Sequence, residues 1–263
     1  DSGYSRAVRG SNGELIGEVG DGNRKDIRNA VEAARAASGW SAQTAHNRAQ
    51  VVYYIAENLA ARRVDFAARL SQSTGADAGD ALAEVDASID RLFTFAAWSD
   101  KYDGAVHRTP YRAITLAFNE PMGVIGVVCP DDRPLLSLVT LMAGAMAMGN
   151  AIVVVPSEAH PLLATDLYQV LDTSDVPGGV VNLVTGPRAD LAKVMAEHMD
   201  MDAMWCFAAP ELVTLTERAS IGNMKRMWTS SKRLNWESGE AGLIQEILRQ
   251  ATQVKNVWAP YGA

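Results

Sequence analysis

The apolar positions of this chain change period twice. After a glycine-rich turn (Gly20, Asp21, Gly22, Asn23), the residues Ile27, Ala30, Val31 and Ala34 recur at helical spacing. They predict an amphipathic helix over residues 23–37. Val52, Ile55, Ala56 and Leu59 mark a second helix, with Ser41 or Thr44 available to cap it, and Val85, Ile89, Leu92 and Ala96 mark a third. Alternation then takes over. Ile114, Leu116 and Phe118 point one way and Thr115, Ala117 and Asn119 the other, as in a strand. Residues 1–110 therefore read as a helical segment and 111–122 as a hairpin.

From Val124 to Thr229 short apolar runs alternate with helical stretches. Strands are expected at 123–129, 151–155, 180–184, 203–207 and 224–229. Consecutive apolar strands joined by crossover helices build a parallel sheet covered on both faces. The expected fold class is thus α/β, with a doubly wound, Rossmann-like sheet of about five strands over 123–234. The remainder, 235–263, holds a short helix over 241–251 with Leu243, Ile244, Ile247 and Leu248, then a last strand over 254–259. In that strand Val254, Asn256 and Trp258 alternate with Lys255, Val257 and Ala259, so neither face is cleanly apolar.

Charge narrows the partners. The 263 residues carry 24 Lys and Arg against 31 Asp and Glu, a net charge of -7, with no basic run longer than two. A polyanion needs a basic patch, so neither nucleic acid nor an anionic membrane is an expected partner. Cys129 and Cys206 each sit in an apolar stretch and imply no disulfide framework or metal site. The thiols suit a reducing compartment, and the expected location is the cytoplasm. Residues 1–22 lack the apolar core of a signal peptide, and no apolar run nears the roughly 18 residues of a membrane span. His46, His107, His160 and His198 match no metal-ligand spacing and are read as capping or surface residues.

Several segments resemble the aldehyde dehydrogenase superfamily. The opening Gly13 to Val19 followed by the 23–37 helix is similar to the family's amino-terminal segment. Glu120, Pro121, Met122, Gly123, Val124, Ile125 and Gly126 look like the junction between its oligomerisation hairpin and its first nucleotide-binding strand. Ala147 to Glu158, and Val176 to Gly186, look like its next strands, and order and spacing hold over about 230 residues. The resemblance implies oxidation of an aldehyde with a nicotinamide cofactor.

Each working part of that chemistry is altered here. The family's loop after the first strand reads Pro-Trp-Asn-Phe-Pro, its Asn donating to an oxyanion; here it reads Pro130, Asp131, Asp132, Arg133, Pro134. A carboxylate at Asp132 repels developing negative charge. The lysine expected to bind the cofactor ribose is Val155, although Glu158 survives as a vestigial acceptor. The phosphate-cradling glycines align with Ala208 and Val213, the general-base Glu with Ser230, and the Gly-Gly pair behind it with Lys232 and Arg233. From Ser230 the chain passes almost directly to Glu237 to Leu243, which, with Gln253 to Ala259, look like the family's carboxy-terminal tail and oligomerisation strand. The resemblance therefore implies that the catalytic domain bearing the nucleophilic Cys is absent from this chain.

The reading is a non-catalytic module, similar to the truncated, degenerate second module of two-module aldehyde dehydrogenases. It would have no catalytic residues, no metal and no cofactor of its own. Its partner would be a catalytic, NAD-dependent aldehyde dehydrogenase module, in the same polypeptide or a separate subunit, within a homo-oligomer of the parent. Ile114, Leu116 and Phe118 on one strand, and Val254, Asn256 and Trp258 on the tail strand, would form the small antiparallel oligomerisation sheet. The alternative is an NAD-dependent aldehyde oxidoreductase fragment that still binds cofactor and works with a partner. A third reading places another metabolite or a cation at Asp131, Asp132 and Arg133, against a solvated loop with a local salt bridge. Cys129, at the carboxyl end of the first sheet strand, is the one substitute nucleophile on offer, against a buried structural thiol.

Overall fold

The computed structural model of the chain describes residues 3–110, 112–238 and 241–261. The chain opens with a hairpin rather than a helix: β1 (Ser5–Arg9) pairs antiparallel with β2 (Leu15–Gly20). The turn between them holds Asn12 and Gly13, with Gly13 at φ 83 and the N–H of Gly13 donating to Gly10 O. Only Val8 and Val19 are buried, against Leu162, and two buried residues in polar sequence carry little periodic signal. That departs from the helical reading of 1–110, although an Asn-Gly pair is itself a hairpin signal.

The helical layer follows as expected. It comprises α1 (Arg24–Ala36), the short α2 (Gly39–Ala42), α3 (Ala45–Ala61), α4 (Arg63–Thr74) and α5 (Ala78–Trp98). Asn23 caps α1 in a capping box with Asp26. Thr44, not Ser41, caps α3, its hydroxyl accepting the N–H of Asn47 at 3.1 Å. Every expected stripe residue of these three helices is buried.

A second hairpin joins β3 (Gly104–Arg108) to β4 (Ala113–Pro121). It starts before 111 because all five residues of β3 are exposed and leave no alternation to read. The α/β core is β5 (Val124–Val128), α6 (Pro134–Ala147), β6 (Ala151–Val155), α7 (Leu162–Asp172), β7 (Val181–Leu183), α8 (Arg188–Glu197), β8 (Ala203–Phe207), α9 (Pro210–Ala219) and β9 (Arg226–Ser230). Its five parallel strands are ordered β7-β6-β5-β8-β9, the doubly wound arrangement. One face packs on α3, α5, α6 and α7, the other on α1 and α8. All fourteen residues of α6 are buried, which makes it the axis of the core.

The chain ends with α10 (Ala241–Gln250) and β10 (Thr252–Pro260). The latter pairs antiparallel with β4 over nine residues, from Thr252 opposite Pro121 to Pro260 opposite Ala113. The tail strand thus completes a three-stranded sheet, β10-β4-β3. The register places Val254, Asn256 and Trp258 opposite Asn119, Ala117 and Thr115. Directly opposed residues share a face, so these three lie on the other side of the sheet from Ile114, Leu116 and Phe118. The two triads belong to one sheet and lie on its opposite faces.

Candidate functional site

Ligands of doubly wound sheets bind beyond the carboxyl ends of the strands, near β5 and its neighbours. Here that region is a cleft of about 420 Å³ lined by residues that include Asp131, Arg188, Ala208, Ser230 and Trp236. The loop between β5 and α6 lines it through Pro130, Asp131 and Asp132.

Each charged residue of that loop is paired to a different element, not within the loop. Arg188, at the first position of α8, donates to Asp131 Oδ2 and, at 3.1 Å, to Cys129 O. Its backbone N–H donates to Glu158 Oε2 at 3.2 Å, so Glu158 serves as an acceptor at the start of α8. Asp131 Oδ1 also accepts from Ser157 Oγ at 2.7 Å. Burial works against the Asp131 carboxylate, but Arg188 and Ser157 outweigh it and hold it below the usual range. Asp132 pairs with Arg233, which follows β9.

Arg133 adopts a left-handed conformation, φ 45, that turns the chain into α6. Its guanidinium meets Asp80 at 3.0 Å, Glu84 at 3.7 Å and Glu237 at 2.5 Å. Glu84, buried on α5, accepts the N–H groups of Leu135 at 2.9 Å and Leu136 at 3.2 Å. It does for α6 what a capping side chain does elsewhere. Burial raises its pKa, with both N–H groups and Arg133 opposing.

The segment after β9 closes the cleft. Trp236 is 2% exposed and stacks edge-on against Phe207, ring centres 5.5 Å apart. Arg91 of α5 holds it by donating to Trp236 O at 2.7 Å and Ser238 O at 3.1 Å. Residues 231–240 are the whole connection between β9 and α10.

Val155 is 1% exposed, its side chain inside the sheet's core. Ala208 and Val213 flank the start of α9, where Pro210 takes the first position. Ser230 Oγ is engaged locally, accepting from Lys232 N at 3.1 Å. Cys129 is fully buried and desolvation drives its thiol pKa up, which removes the thiolate a nucleophile requires. Cys206 is also buried, and desolvation raises it to about 11. His160 bonds Ser73 Oγ through Nδ1 at 3.0 Å, and His198 Nδ1 accepts the N–H of Asp200 at 3.2 Å. Among the described residues no three His, Cys, Asp or Glu side chains gather to hold a metal, and no helix is long and apolar enough to cross a membrane.

Arg188, Glu84 and Arg91 escaped the sequence reading. A signal existed for the first: Pro187 and Arg188 open a helix directly after a strand end, where two carboxylates, Asp131 and Glu158, await a counter-charge. Glu84 and Arg91 sit among the buried, mostly apolar residues of α5 and have no such local mark.

The sheet, its helices and the strand-end cleft define a doubly wound nucleotide-binding type of module. The profile of the Aldehyde dehydrogenase family matches residues 2–228, and the chain belongs to that family. It is 32% identical over 220 residues to the betaine aldehyde dehydrogenase of Bacillus subtilis (strain 168), covering 82% of this chain and 45% of that protein. It is equally 32% identical over 220 residues to human retinaldehyde dehydrogenase 3, covering 81% and 43%. Among solved structures, betaine aldehyde dehydrogenase from Staphylococcus aureus in complex with NAD+ superposes with a TM-score of 0.82 at 26% identity, covering 86% of this chain and 46% of that one. PnpE from Pseudomonas sp. WBC-3 gives 0.83 at 27%, covering 86% and 47%. The chain thus spans less than half the length of the relatives it matches.

Proposed function

We propose that this chain is a non-catalytic aldehyde dehydrogenase module that supports the assembly of a catalytic one, in the same parent polypeptide or in a separate subunit. The observation that carries the reading is Arg188. Its guanidinium lies between the ends of β5 and β6, bound to Cys129 O and Asp131, while its backbone engages Glu158. Asp131 in the cleft lining and Glu158 beside α8 are thereby satisfied from within, while Asp132 pairs with Arg233.

The residues present do not fit a nicotinamide dinucleotide. The position expected to offer a lysine to the ribose is Val155, sealed in the sheet. The backbone at Ala208 and Val213 carries side chains where close approach to phosphates requires none. Asp132, in the place of the oxyanion donor, is an acceptor already paired to Arg233. The ten-residue passage 231–240 stands where the resemblance places a catalytic domain. The NAD chemistry would belong to the partner module.

Calorimetric titration with oxidised nicotinamide nucleotides tests this. The expected result is no saturable heat; micromolar binding would establish the alternative, a cofactor-binding fragment of an NAD-dependent aldehyde oxidoreductase.

A further inference from the structure

The contact between α5 and α6 holds a charge without a counter-charge. Arg91, on α5, is 6% exposed. Its Nη2 donates to Trp236 O and Ser238 O, both neutral carbonyls, and its Nη1 is buried with no acceptor among the described residues. Burial alone lowers its pKa from the usual guanidinium value, with no neighbouring charge acting on it. Glu84, two turns earlier on α5, is committed to Leu135 N, Leu136 N and Arg133. A buried guanidinium is costly unless an anion pairs with it.

Two further groups share this condition. Ser137 Oγ and Thr140 Oγ1, on α6, are wholly buried and also lack a partner among the described residues. Buried polar side chains nearly always have one, so each such atom marks a place where a further group belongs.

Helix geometry brings the three residues together. Ser137, Thr140 and Gly144 recur at i, i+3, i+7 and line one face of α6, while Glu84, Ser88, Arg91 and Phe95 line one face of α5. These faces oppose each other at both ends. Glu84 accepts the N–H groups of Leu135 and Leu136 where α6 begins, and a Cβ built on Gly144 falls 3.1 Å from the Phe95 ring. Between these contacts Arg91 stands one turn before Phe95, and Thr140 one turn before Gly144. The two therefore lie at the same level of the helix pair.

We propose that Arg91, Ser137 and Thr140 form an internal site for a monatomic anion, chloride in solution, held between α5 and α6. A guanidinium only donates, and a hydroxyl turns its hydrogen toward negative charge, so all three residues offer donors to one ligand. Water accepts the same bonds but leaves the charge of Arg91 uncompensated. Phosphate and sulfate exceed the room beside Gly144, where Phe95 and Ile247 close on the helix. The anion ties α5 to α6 and, through Arg91, to the passage that closes the cleft. The site lies in the core and does not rest on the cleft's failure to fit a cofactor.

The test is urea denaturation of the whole chain at constant ionic strength, with sodium gluconate replaced stepwise by sodium chloride or bromide. Over about 1–100 mM, a range that brackets millimolar sites, the midpoint should rise with either halide and level off. Thr140→Val and Ser137→Ala should each raise the halide concentration giving half the effect at least about tenfold, since each removes a hydrogen bond to an ion. Arg91→Met should abolish the dependence. Crystals of the wild type soaked in sodium bromide give a readout independent of unfolding: an anomalous peak is expected within bonding distance of Arg91 Nη1. A midpoint that is the same in gluconate and halide overturns the proposal. So does a halide dependence unaltered in both hydroxyl variants, or density beside Arg91 without a bromide signal, which is a water.

Discussion

The side-chain amide nitrogen of Asn150 lies 2.9 Å from the carbonyl oxygen of Ala251, 101 residues further along the chain. The same nitrogen donates to Ala145 O at 3.0 Å, and its Oδ1 accepts the N–H of Gly123 at 2.9 Å. One wholly buried side chain thus ties the start of the parallel sheet, the end of α6 and the root of the tail strand. Asn150→Ala should leave Gly123 N–H and Ala251 O without this partner. The expected loss is about 2–4 kcal/mol by urea denaturation, the sum of a broken bond and stranded polar groups. Amide exchange in β10 should quicken more than in β7, since only the former hangs on this contact.

Gly144 makes a second prediction about the tail. A Cβ built there falls 2.2 Å from Ile247 Cγ2 and 3.1 Å from Phe95. Gly144→Ala should therefore destabilise by about 1–3 kcal/mol through overpacking, despite the better helix propensity of alanine. Pairing it with Ile247→Leu, which has no Cγ2 methyl on its Cβ, should recover part of the loss. Independent additive costs in a double-mutant cycle would contradict the contact.

Glu84 separates hydrogen bonding from charge. Glu84→Gln keeps an oxygen for Leu135 and Leu136 and should cost less than about 1 kcal/mol, whereas Glu84→Leu strands both N–H groups and should cost about 2–3. Its raised pKa means that the folded state takes up the proton more readily than the unfolded one. The stabilisation that follows is complete below the unfolded value of 4.5 and is lost as pH rises through the folded one. In Glu84→Gln this contribution should vanish from the difference between stability curves measured over that range.

His160 sets an opposite dependence. Burial lowers its pKa from 6.5, with Asp131 working against the shift. The folded state resists protonation, so the contribution of this group is full above 6.5 and falls away as pH drops through the folded value. Stability measured at pH 7.5 and 5.5 should decline more in the wild type than in His160→Gln. Equal declines would show that His160 is not the group responsible.

Much of this was visible in the sequence. Strands such as β6 and β8, buried on both faces, were legible because five consecutive apolar residues leave few alternatives. The α1, α3 and α5 stripes were legible for the complementary reason, one apolar face against a polar one. What stayed hidden depends on partners distant in sequence. The residues of β3 are all exposed and become a strand only by pairing with β4. Asp131 and Asp132 read as a solvated loop because Arg188 and Arg233 lie 57 and 101 residues away. The opposite facing of Ile114 and Val254 is a matter of register, which strand periodicity within one segment does not fix.

The complete burial of α6 has a consequence for how the chain folds. Its walls come from α3 and α5 on the amino-terminal side, α7 within the core, and α10 beyond the cleft-closing passage. No contiguous stretch of sequence short of nearly the whole chain can shelter this helix from water. A nascent chain released before α10 has emerged would expose Gly144 and its neighbours, and is expected to engage chaperones or aggregate. The tail thus belongs to a single cooperative unit, and cutting between β9 and α10 should unravel the parallel sheet as well as the strand that leaves it.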